Sequence, residues 1–94
     1  MRMFYLGLTL LLACQWGISQ HIETLEANLP NQIGEQYAKD ALQIATHYYL
    51  MGNYEKAMQH ATLAENKANQ LSSPELLALA LNRQAKILLR MPGS

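Results

Sequence analysis

YYLMGNYEKAMQHATLA, residues 48–64, decides the reading of this chain. It holds the end of one helix, a Gly52-Asn53 break and the start of a second helix. Glycine suits the left-handed residue that follows a helix, and an asparagine side-chain oxygen caps the helix that comes next. Downstream, a helix over about 54–71 carries Tyr54, Ala57, Met58, Ala61, Ala64, Ala68 and Leu71 on one face, within an arc of about 140°. Four of these seven are alanine, so a partner helix can come close. The bulk must come from the other side.

Upstream, a helix over about 32–51 supplies it. Ile33, Tyr37, Ala41, Ile44, Tyr48 and Met51 follow one another at helical steps of three and four. Tyr37, Ile44 and Tyr48 are the large members. Glu35 and Lys39 stand four apart in the favourable order. Gly34 costs a little near the first turn, where fraying is tolerated. Farther upstream, Ile22, Leu25 and Leu29 place one or two helical turns before Pro30, which is expected to hold Leu29 extended and mark a boundary.

On the other side of the hairpin, Ser73-Pro74-Glu75 reads as an N-cap, a first helical position and a favourable charge at the helix start. A third helix over about 74–91 follows, and Pro92-Gly93 ends it. Its polar stripe is Asn82, Arg83, Lys86 and Arg90, within about 100° of the wheel. Leu76, Leu77, Leu81, Leu88 and Met91 are expected to need cover from a further helix. The sequence then reads as a fragment of a longer array, or as a small protein that covers this face by self-association through the 74–91 helix.

Ninety-four residues allow one small domain. Seven Lys plus Arg balance seven Asp plus Glu, with no basic stripe, which argues against a nucleic-acid partner. Residues 1–20, MRMFYLGLTLLLACQWGISQ, combine Arg2 with an apolar run from Phe4 to Cys14. That run is short of the about 20 residues a bilayer span needs. It fits a signal peptide over 1–19, with Gly17-Ile18-Ser19 before the cut; a buried first helix is the alternative. Cleavage there leaves no cysteine, and thiol chemistry drops out. Leu11-Leu12-Ala13-Cys14 resembles a bacterial lipobox, although a small residue is more usual where Leu12 stands. Lipidation at Cys14 would tether the chain to a membrane; cleavage after Ser19 would release it. The regions are therefore 1–19 leader, 20–31 short helix and linker, and 32–94 helical region, with 32–71 as a complete hairpin and 74–91 as the first helix of a second unit.

Sliding the sequence along itself until Ala41 meets Leu81 lays Ala41–Met51 over Leu81–Met91, with Ala45 on Ala85, Tyr48-Tyr49 on Leu88-Leu89 and Met51 on Met91. Residues 38–91 resemble tetratricopeptide repeats. Ala45, Tyr48, Gly52, Asn53, Tyr54, Ala57 and Ala64 stand at that family's small contacts, late tyrosine and turn. Ala41 and Ala61 depart from it, because the family has large aromatics there. Pro74 comes late, so the period is about 40 rather than the family's roughly 34. The resemblance implies an all-α solenoid of antiparallel hairpins with about three main helices. It also implies a non-catalytic protein-interaction scaffold whose concave face binds a protein or peptide. That face would carry Lys39, Leu42, Thr46, Tyr49, Asn82, Arg83, Lys86 and Leu89, with a Lys and an Asn able to hold a peptide carboxylate.

Longer repeats of this kind look like those of bacterial sensor and regulator proteins. The alternatives are thus the extracytoplasmic segment of a signalling protein such as a histidine kinase, or a lipid-anchored binding protein. Export places the chain in the periplasm or outside the cell. No cofactor or metal is expected. His21, His47 and His60 form no HExxH-like pair and read as helix-surface residues. Ser72-Ser73 read as capping residues, and no acid–base pair suggests an enzyme. Among the tyrosines, Tyr48 and Tyr54 read as core and Tyr49 as a candidate contact.

Overall fold

The structure, a computed structural model, describes residues 21–92. The leader, its alternative cleavage points and Gly93 lie outside the described residues. The chain is all-α, with no strand among the described residues. Residues 21–28 are helical (α1) and lead into a 3-10 turn, Leu29–Asn31. Three helices of 17 residues follow: α2 (Gly34–Leu50), α3 (Tyr54–Gln70) and α4 (Pro74–Arg90). Their starts at Gly34, Tyr54 and Pro74 are evenly staggered, so α4 occupies the register of α2 two helices on.

The two connections share one geometry. After α2, the Asn53 N–H donates to Tyr48 O at 2.8 Å and the Gly52 N–H to Tyr49 O at 3.1 Å. After α3, the Ser73 N–H donates to Ala68 O at 3.0 Å and the Ser72 N–H to Asn69 O at 3.1 Å. Both are Schellman closures, which need a left-handed residue just past the helix. Gly52 provides it at φ +82, and Ser72 adopts φ +52 in the same place. The next residue caps the following helix: Asn53 Oδ1 accepts from the Lys56 N–H and Ser73 Oγ from the Leu76 N–H, each at 3.3 Å. One residue thus closes one helix and opens the next, which explains why the connections are so short.

The core between α2 and α3 is alanine on both sides. Ala38, Ala41, Ala45, Ala57, Ala61, Ala64 and Ala68 are all buried. Ala41 clusters with Ala64, Ala38 with Ala68, and Ala45 with Ala57 and Ala61. Small residues let helix axes approach to the short end of the roughly 8–10 Å range, where backbone atoms of both helices share dispersion contacts. Ile44 and Ile87 are the largest fully buried side chains. Tyr37 and Tyr48 pack half-buried against the same core, as their bulk requires. α4 lays Leu76, Ala80 and Ile87 against the hairpin, and Gln84 Nε2 donates to Glu65 Oε1 at 2.7 Å.

Several expectations are corrected here. Ile33 and Met51 are not in the α2 stripe: they are its capping residues, 82% and 71% exposed, because the helical period stops at Gly34 and Leu50. Leu71, the C-cap of α3, is likewise exposed. Gly34 is more than a tolerated weak helix former, since it sits at φ +61. The chain passes Leu29 and Pro30 in a 3-10 turn rather than extended. Leu76 and Met91 face inward, Leu76 buried and Met91 half-buried, while Leu81 and Leu88 are exposed. Ala85 is exposed where its counterpart Ala45 is buried.

Ser72 bears a left-handed conformation that costs an L-residue roughly 1–2 kcal/mol, part of which glycine returns as unfolded-state entropy. Ser72→Gly is expected to stabilise the chain by about 0.5–1 kcal/mol, and Gly52→Ala to destabilise it by about 1 kcal/mol. Urea midpoints at unchanged m-value check both.

Candidate functional site

Two side-chain groups and one groove are the candidates. The first group is the row on α2 and its counterpart on α4. Lys39 is exposed and pairs with Glu35 at 3.9 Å, both side chains well in solvent. Leu42 and Thr46 are half-buried, and the Thr46 hydroxyl donates to Leu42 O at 2.9 Å. Tyr49 is half-buried against the Ala45, Ala57 and Ala61 cluster, its ring 6.0 Å from that of Tyr54. Tyr49 therefore packs as much as Tyr54 does. On α4, Asn82, Lys86 and Leu89 are exposed, Leu89 to 84%. Arg83 differs: it is half-buried, and its Nε is buried with no hydrogen-bond partner. α2 and α4 touch directly, so the two rows belong to neighbouring helices in matching register.

The second group centres on Tyr48 and had no signal in the sequence. The Tyr48 hydroxyl donates to Glu26 of α1, far back along the chain. Lys56 Nζ sits 5.3 Å above the Tyr48 ring, within cation–π range. His60 stacks on the same ring at 5.8 Å, and its Nδ1 donates to Lys56 O at 2.9 Å. His47 meets the ring edge-on at 5.5 Å. His47 and His60 are thus neighbours of a half-buried tyrosine rather than plain surface residues. The bond to Glu26, then burial, then the charges of Glu26 and Glu23 push the Tyr48 phenol from 10.0 up to about 12. The cluster ties α1, α2 and α3 together. A phenol held protonated this far above neutrality acts as a hydrogen-bond donor, not a base.

The groove lies on the outer side of α3, lined by Glu55, Met58, His60, Thr62, Leu63 and Met91, with a volume of about 640 Å³. It is mostly apolar and open, a shape that suits an inserted side chain. The Thr62 hydroxyl donates to Met58 O at 2.8 Å and is not aimed at the groove as a spare donor. Among the described residues, no three His, Cys, Asp or Glu side chains gather closely enough to hold a metal ion, and no helix is long and apolar enough to cross a membrane. No family model, curated protein or solved structure matches the chain.

Below about pH 10 the Tyr48 phenol is protonated folded or unfolded, and its bond contributes fully. Above that the unfolded chain gives up the proton first, and stability falls until pH passes about 12. Tyr48→Phe is expected to cost about 1 kcal/mol at neutral pH. The gap between wild type and variant should close between about pH 10 and about pH 12 in urea titrations.

Proposed function

We propose that this chain is an exported, non-catalytic protein-interaction scaffold built of tetratricopeptide-like helix hairpins. One observation carries the reading. α4 repeats α2 in length and register, with the same Schellman-and-cap connection before it as after α2. Helices that recur in register present equivalent faces side by side, which is how stacked hairpins make an extended binding surface. The row Lys39, Leu42, Thr46 and Tyr49, continued by Asn82, Lys86 and Leu89, is the surface assigned to the partner. It mixes ammonium and amide donors with apolar side chains, the composition that holds an extended peptide and its carboxylate. Arg83 is a weaker member of this set, because its Nε is turned into the protein. Export rests on the apolar run from Phe4 to Cys14 and the small residues before Gln20.

A displayed library of peptides with free C-termini, selected on the full chain, tests the reading. Binders should lose at least tenfold in affinity on Lys86→Glu or Asn82→Ala, and also when their carboxylate is amidated. Selection that yields no binder, or binders indifferent to both substitutions, would remove the scaffold role from this face.

A further inference from the structure

α4 carries two apolar sides. Leu76, Ala80 and Ile87 are buried against the hairpin. Ala78, Leu81, Ala85 and Leu88 form a second line, all exposed, with Leu81 at 46% and Leu88 at 49%. Their spacing of three, four and three is the a/d seam of a two-helix coil. The same register on α2 is Ala38, Ala41, Ala45 and Tyr48, the side that receives α3. The second side of α4 therefore repeats a surface that, on α2, accepts an antiparallel helix.

We propose that this side of α4 binds the same side of α4 in a second copy of the chain, antiparallel about a two-fold axis at the level of Arg83. That arrangement is self-complementary in size. Leu81 of one copy falls opposite Ala85 of the other, and Ala78 falls opposite Leu88, so each large side chain meets a small one. Leu77 and Leu89 flank the seam in matching positions. A parallel pair would instead set leucine on leucine and alanine on alanine.

The helix dipoles favour the same direction. Antiparallel pairing opposes the helix dipoles. A helix of 17 residues is about 25 Å long, so one such seam falls near the low end of specific interfaces. The dimer is expected to dissociate on dilution. The contact lies on a different side of α4 from the proposed peptide surface, sharing only Leu89 at its edge, and stands whether or not that surface binds a peptide.

Sedimentation velocity of the full chain across a concentration series tests this, with circular dichroism reporting the helix content of each variant. The wild type should pass from monomer to dimer. Leu81→Glu and Ala85→Glu should each weaken the dimer at least tenfold at unchanged helicity. Leu79→Glu, at an equally exposed leucine off the seam, should leave it unchanged. A chain that stays monomeric at every concentration overturns the proposal. So does association that Leu79→Glu disrupts as much as Leu81→Glu, or that survives both seam substitutions. The last result would assign association to another segment, such as the apolar run from Phe4 to Cys14.

Discussion

The close contact between α2 and α3 is the constraint on which the rest depends. It is made by alanine on both helices, from Ala38 against Ala68 at one end to Ala45 against Ala57 and Ala61 at the other. Each alanine buries little apolar area, so the stabilisation comes from many backbone and methyl contacts at short axial distance. Such a contact tolerates no misalignment. The helices must leave the turn in one orientation, and the paired closure and cap at Gly52 and Asn53 provide it. A chain with large residues on both faces could slide and repack; this one cannot without opening voids.

Placing the small residues centrally pushes bulk to the edges, and that explains the side-chain arrangement around the hairpin. Tyr37, Tyr48, Tyr49 and Tyr54 sit half-buried around the alanine strip. Lys67 rests 5.4 Å over Tyr37, and Lys56 sits over Tyr48 in the same way. The Tyr48 hydroxyl reaches back to Glu26 and Gln43 to His21, so the first helix is fastened through polar contacts as well as through Leu25 and Leu29. α4 is fastened differently, by Leu76, Ile87 and the Gln84–Glu65 bond.

Much of this was legible from residue order. The break at Gly52-Asn53, the cap at Ser73 and the alanine face of α3 all follow from local chemistry, and local chemistry is what sequence reports. The shared register of α2 and α4 was legible too, since they carry similar side-chain sizes at matched positions. Other features depend on tertiary geometry. Periodicity does not tell which side of α4 turns inward, because both sides are apolar, and so Leu76 and Met91 prove to face the hairpin. Ser72 gave no sign of a left-handed conformation. The Tyr48 cluster joins residues from three helices with no shared pattern. Of the row assigned to a partner, Lys39, Asn82, Lys86 and Leu89 are exposed, whereas Tyr49 and Arg83 are partly taken up by packing.

Native-state hydrogen exchange, residue by residue, measures the central claim directly. If the alanine contact is the foundation, amides of Ala41–Ala45 and Ala57–Ala64 open last and together, at the free energy of global unfolding. α1 and α4 should open earlier, in separate steps, with the hairpin still closed. Slowest exchange in α4, or opening of α2 and α3 ahead of the helices packed on them, would contradict the account.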